Sequence, residues 1–356
     1  MNFFRIWLLC FLTLPVFAQK QGLGFHYYHG NIFRDSRQMV HLIKGFPNMY
    51  EFQWKYKRTG ISSWERVYNF PFTDIAVIIT DFANKNDLGY AISIIPQLQI
   101  LFYEKSFLSP SFTAGTGVSY LTKIFHPVEN PLNVTFGSRF NIVLHGYLGL
   151  QLRIKKNFLM DVGYGITHFS NGNIKEPNTG LNLILWKAGL NYLFFGKTLK
   201  NISDTIAIVP LKNFYSIRLN QSFKQLPSAG NKFFYIVSVS GNYNYPLTNL
   251  GYITTGFDLF MDYAVKYLMI NETTTYKSSV QLFRSGITAG YVFKINRVEI
   301  PVQFGYYIYL PFKNVTSTYQ RAGVQYAVTK NFTAGLYLKT HYGHADYLEW
   351  TAGWGF

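Results

Sequence analysis

Cysteine is all but missing. Cys10 is the only one in 356 residues. It lies inside an N-terminal stretch with the marks of an export signal. Arg5 is basic, Ile6 to Phe17 is apolar apart from Thr13 and Pro15, and Val16-Phe17-Ala18 ends on a small residue. Such a stretch is too short to span a bilayer as a helix and fits a secretory signal over residues 1–18, with a buried N-terminal strand as the alternative. Leu8-Leu9-Cys10 has no small residue before the cysteine, so it does not fit a lipoprotein cut. A chain cut after Ala18 holds neither disulfide nor thiolate chemistry. Acidic residues are scarce as well: 17 Asp and Glu stand against 33 Lys and Arg, a formal charge of +16, and charged residues make up only 14%. After the signal no run of 18 apolar residues occurs, which argues against a helical membrane protein. The basic excess calls for an acidic partner. Export and the lack of a compact basic helix speak against nucleic acid. A phosphate-rich lipid surface fits better, with chance basicity as the bland alternative.

Aromatic residues, by contrast, reach 19%, and they fall into a period of two. From Phe140 to Arg153 the even positions are almost all apolar, while the odd ones are mostly polar, small or tyrosine. Phe158, Met160, Val162, Tyr164 and Ile166 alternate with Asn157, Asp161, Gly163, Gly165 and Thr167. Val302-Phe304-Tyr306-Ile308-Leu310 and Phe332-Ala334-Leu336-Leu338 repeat the pattern. A strand with this period sends alternate side chains to opposite faces of a sheet. The runs are longer than the ~5–6 residues usual in soluble sheets, and they recur almost to the last residue. The fold class is therefore all-β: a transmembrane antiparallel outer-membrane barrel of about 14–16 strands. Hydrocarbon cannot satisfy backbone hydrogen bonds, so the sheet must close on itself. Strand starts are expected near Leu23, Met49, Thr73, Tyr90, Ser109, Phe136, Phe158, Asn182, Phe214, Phe233, Tyr252, Ser279, Val298, Tyr319, Phe332 and Ala345. Lys155-Lys156-Asn157 and Thr329-Lys330-Asn331 suit tight turns; Pro127 to Asn133 and Asn171 to Gly180 suit longer loops. Ile202 to Lys212 is the best seam between halves. One barrel completed by both halves is expected, with 19–197 as the first half and 198–356 as an extension.

The chemistry-bearing segment runs from Thr167 to Asn182. His168 and Ser170 share a face and continue the apolar row that ends at Ile166. They should look outward, as should Asn182, which shares parity with Ile184 and Trp186. Polar groups on a lipid-facing row cost free energy unless they are paired or interfacial. A histidine can take a serine proton, a third group can orient the ring, and Asn171, Asn178 and the amides of the Gly172 loop can bind an oxyanion. A polar cap without chemistry at the hairpin rim is the competing reading. His341 and Glu349 have inward parity, so with His344 and Asp346 they fit an interior polar network better than a metal site.

His168-Phe169-Ser170-Asn171, followed by Pro177-Asn178 and Gly180, resembles the active-site hairpin of the PagL-like lipid A 3-O-deacylase (acyloxyacyl hydrolase) family. Gln21 to Phe195 is similar to its eight-stranded unit, and Thr113 to Tyr120 and Phe136-Gly137-Ser138 are similar to family segments. The rest resembles the extension of its long members, as in Leu338 to Tyr342 and Ala345 to Trp350. The terminal strand closing on Phe356 resembles the end of outer-membrane barrels. The resemblance implies Ser170 as nucleophile, His168 as general base, Asn178 at the oxyanion hole and Asn171 in support. The family's acidic triad member, a glutamate, falls on Asn182, which is a departure. An amide oxygen can still accept from a histidine, and Glu176 is the nearest carboxylate in the segment.

The expectation is a serine esterase of the bacterial outer membrane. It would remove an ester-linked acyl chain, at position 3, from lipid A of lipopolysaccharide. It would need no cofactor or metal and would have no nucleic-acid partner; homodimerisation is left open. The alternative from another class is a non-catalytic barrel, a narrow pore or structural protein with a degenerate hydrolase site.

Overall fold

The structure, a computed structural model, describes residues 20–34, 36–103, 107–195, 210–230, 232–272, 275–312 and 315–356. The expected signal at 1–18 and most of the expected seam lie outside the described residues. Sixteen strands form among the described residues. The first eight are β1 (Lys20–Ile32), β2 (Asn48–Lys57), β3 (Phe72–Asp81), β4 (Tyr90–Leu101), β5 (Leu108–Leu121), β6 (Phe140–Lys155), β7 (Phe158–Ser170) and β8 (Leu181–Phe195). The second eight are β9 (Phe214–Gln225), β10 (Phe233–Thr248), β11 (Gly251–Asp262), β12 (Phe283–Ile295), β13 (Val298–Tyr309), β14 (Thr318–Ala327), β15 (Phe332–His341) and β16 (His344–Gly355). Thirteen of the expected starts fall within one residue of these. Leu23 lies within β1. Ser279 belongs to a short 3-10 turn capped by Ser278 and Gln281. Phe136 is a buried loop residue, packed on Phe82 with ring centroids 5.6 Å apart.

The expectation of a single barrel is corrected. β8 pairs back onto β1 and β16 onto β9, so the sheet closes twice, into two eight-stranded antiparallel barrels. Alternation specifies which face a residue takes. It carries no information about which strand meets the first one, because that pairing joins residues far apart in sequence.

Each barrel has the inverse of a soluble protein's polarity. Outward side chains such as Phe52, Ile94, Leu148, Trp186, Leu219, Phe304 and Trp350 are exposed, in alternation with buried Gln53, Ser93, Gln151, Asn220, Gln303 and Thr351. So much exposed apolar surface fits hydrocarbon and not water. Eight strands enclose a space that side chains can fill, and here they fill it with charge. In the first barrel Lys55 reaches Asp161 at 3.6 Å and Asp74 at 3.7 Å, and His26 contacts both Glu51 and Asp161 at 3.3 Å. In the second, Arg321 holds Glu349 at 2.6 Å and Asp258 at 3.0 Å. Lys339 meets Asp346 at 2.8 Å, as does His341 at 3.2 Å. His341 and Glu349 thus join interior polar networks, as their parity predicts, whereas His344 is exposed. Removing one partner from such a network strands a buried charge, which is far more costly than the pair's net worth. At the end opposite the termini the first barrel is closed by an apolar plug that includes Tyr28, Met39, Phe82, Phe136, Phe169 and Leu181.

Candidate active site

The plug anchors the site. Phe169 points inward and is fully buried, so its neighbours His168 and Ser170 must take the opposite, outer face. The β7–β8 register places His168 directly across from Asn182. Side chains in such cross-strand pairs meet, and His168 Nδ1 lies 2.7 Å from Asn182 Oδ1. An amide oxygen accepts there, so Nδ1 carries the proton and Nε2 is left with its lone pair. Asn182, not Glu176, therefore occupies the orienting position beside the ring. The ring edge rests on Gly180. A Cβ at that glycine would lie 3.0 Å from His168 Cε1, and its φ of +70° already favours glycine.

Ser170 ends β7 and is only 5% exposed, because the loop 171–180 folds over it. The Gly172 amide donates to its Oγ at 3.0 Å and Asn178 Nδ2 donates at 3.1 Å. Two N–H groups therefore converge on one hydroxyl oxygen. Asn178 is fixed at its other end, since the Asn171 amide donates to its Oδ1 at 3.0 Å. Asn171 in turn ties the loop down. Its Nδ2 donates to the Lys175 carbonyl at 2.7 Å and to Ser138 Oγ at 3.1 Å. Among the described residues the hydrogen bonds of Ser170 do not include one to His168. The two side chains share a face one pleat apart, and catalytic hydrogen bonds commonly tighten only when substrate is in place.

Glu176, the nearest carboxylate in the segment, braces the loop. Its Oε2 accepts the Asn178 amide at 3.1 Å, which holds the loop segment that carries Asn178. Burial raises its pKa above the ordinary glutamate value, with the Asn178 amide opposing the shift.

Two supporting residues have roles that the sequence does not assign. Gly137 is one: a Cβ there would stand 2.6 Å from the Glu176 carbonyl oxygen, so the loop closes only over a glycine. Gln225 of β9 is the other, accepting the Glu176 amide on its Oε1 at 3.1 Å. Parity does not single out Gln225, because Gln221 in the same outward row of β9 is polar too and is exposed. No group of three or more His, Cys, Asp or Glu side chains suited to a metal occurs among the described residues.

Comparison with known proteins gives two family matches. Residues 48–191 match "Lipid A 3-O-deacylase (PagL)" and residues 213–356 match "Acyloxyacyl hydrolase, C-terminal domain". No curated protein matches. Among solved structures, the Acinetobacter baumannii outer membrane protein Omp33 is similar at 10% identity over 95% of this chain and 98% of that one, with a TM-score of 0.18. BamA from Haemophilus ducreyi, lacking POTRA domains 1–3, is similar at 10% identity over 95% and 71%, with a TM-score of 0.21. A mutant porin of Rh. blastica is similar at 9% identity over 94% and 99%, with a TM-score of 0.19. With one match in each barrel, this outer-membrane chain belongs to the PagL-like family of acyloxyacyl hydrolases, in its long form with a C-terminal extension.

Proposed function

We propose that the chain is a serine esterase that removes the acyl chain at position 3 of lipid A in the outer leaflet. The observation that carries this is the pair of N–H donors, from Gly172 and Asn178, aimed at the oxygen of an outward-facing serine. Ser170 Oγ attacks the ester carbonyl carbon while His168 Nε2 takes the hydroxyl proton. The carbonyl oxygen becomes an oxyanion beside Oγ, where the same two donors lie within reach. Collapse expels the sugar hydroxyl, which receives the proton from His168. Water, deprotonated by His168, then releases the fatty acid from the acyl-serine. Asn182 keeps the imidazole in the tautomer that both steps need.

A lipid-facing site suits a substrate whose chains stay in the bilayer. The site lies at the end of the barrel away from both strand termini, which is the external side when short turns face the periplasm. Lumens crossed by buried ion pairs speak against a pore. Mass spectrometry of lipid A from cells carrying the wild-type chain or Ser170→Ala tests the proposal. Wild type should lack one ester-linked acyl chain that the variant retains; the same acyl pattern in both overturns it.

Asn182→Asp separates an active site with an amide orienter from a decayed one. An Asp-to-Asn change can cost a serine triad ~10⁴ in kcat when it leaves histidine in the wrong tautomer. Here the amide oxygen already faces Nδ1, so only the charge is missing. A charge-assisted hydrogen bond is about twice as strong as a neutral one, so kcat should rise about tenfold and not 10⁴-fold. A rise of thousands-fold from a negligible baseline would mark the natural site as degenerate.

A further inference from the structure

Two outward-facing side chains of the second barrel break its exposure pattern. On β9, Tyr215, Ile217, Leu219 and Phe223 are exposed, but Gln225 in the same row is 3% exposed. On β16, Trp350 and Trp354 are exposed, but Leu348 in the same row is 6% exposed. β9 and β16 are neighbours, so the two covered side chains lie on one patch, at the end where the first barrel carries Ser170. The loop 171–180 covers them. Besides the Glu176 to Gln225 bond, Asn173 Nδ2 donates to the Asp346 carbonyl at 3.2 Å. A Cβ on Gly172 would stand 3.0 Å from Leu348 Cβ and 3.5 Å from Leu338 Cδ1. Gly172, with a φ of +66°, fits this contact because it has no side chain.

We infer that the second barrel is a positioning platform for the oxyanion donors of the first, acting through Gln225 and Leu348; this rests on the esterase reading above. Gly172 touches the platform directly, and Asn178 is linked to it through Glu176. Gln225 holds the Glu176 backbone, Glu176 holds the Asn178 backbone, and the Asn178 amide faces Ser170. Leu348 backs Gly172, whose N–H is the other donor. A surface loop ordered only by itself bears the full entropy of fixing its backbone. Oxyanion donors act well only when they are aligned before the charge develops. A wall of rigid strands meets both demands, and it gives the second barrel a task although it contributes no reacting group.

The test uses the purified full-length chain with lipid A as substrate. Gln225→Leu removes the acceptor at similar size, Gln225→Glu keeps an acceptor, and Leu348→Ala withdraws the backing from Gly172. Closure of the barrels is checked by heat-modifiable mobility in gels. Gln225→Leu should lower kcat about tenfold, as expected for one lost hydrogen bond to an aligned loop, with KM within about twofold. Gln225→Glu should recover most of the rate, and Leu348→Ala should lower kcat in the same way. Amide exchange across 171–180 should quicken in Gln225→Leu and Leu348→Ala and stay near wild type in Gln225→Glu. Unchanged kcat and unchanged exchange in Gln225→Leu overturn the inference, as does a Gln225→Glu chain no better than Gln225→Leu. If wild type leaves lipid A intact, the esterase reading fails, and the exchange data alone decide whether the second barrel orders the loop.

Discussion

His168→Ala is expected to lower kcat by on the order of 10⁴-fold or more, while KM changes little, because a nucleophile and its base act as one unit. The reason is local. Serine attacks poorly while it keeps its proton, and among the described residues no other imidazole shares the outward row that ends at Ser170. His145 and His26 are buried in the lumen of the first barrel, while His29 faces outward but is held by Asn48 at 2.8 Å. Ser170→Ala should cost as much, and the double variant should be no slower than either single one. The fold should not suffer. His168 is on the outer face and the plug beneath it is held by Phe169, so alanine at 168 removes a polar group from a lipid-facing row without opening a cavity in the core. The measurement is the initial rate of fatty-acid release from lipid A by purified protein. Multiplying two large single losses in the double variant would mean that the residues act separately, and the base assignment would fall.

Much of this arrangement could be read from the sequence because a strand has only two faces. With Ile166 outward, His168 and Ser170 follow, and Asn182 takes the same face of the next strand; the register that sets it opposite His168 across the ten-residue loop comes from the structure. The same argument placed His341 and Glu349 inside. What parity cannot supply is any relation between strands that are distant in the chain. It left the closing partner of β8 unspecified, so two barrels were read as one. It gave no account of Gln225 or Leu348, whose burial arises only when the other barrel's loop lies over them. The loop itself was legible in part. Asn171 and Asn178 stand out as amides in a glycine-containing loop, but the bracing of the Asn178 backbone by Glu176, named only as the nearest carboxylate, depends on backbone geometry that no periodicity encodes.

Asn178→Ala carries the next largest expected effect, a fall in kcat of about 10²–10³-fold, the usual consequence of losing one side-chain donor at an oxyanion. Asn178 has two ends with separate tasks. Its Nδ2 faces Ser170 Oγ, while its Oδ1 accepts the Asn171 amide. Alanine removes both, so part of the loss would come from a looser loop and part from the missing donor. Asn178→Asp divides them. An aspartate keeps the acceptor for Asn171 but replaces the donor with a negative oxygen 3.1 Å from Oγ. Repulsion of the developing oxyanion should then make Asn178→Asp slower than Asn178→Ala, although its loop is better held. If loop order were the whole role of Asn178, the ranking would reverse, with the aspartate near wild type. Amide exchange at 171–175 supplies the second axis: protection retained in Asn178→Asp together with the lower rate assigns the loss to transition-state charge. Gly172 N–H remains in both variants, so each should keep a residual rate above Ser170→Ala, which retains both donors but has no nucleophile to present to them.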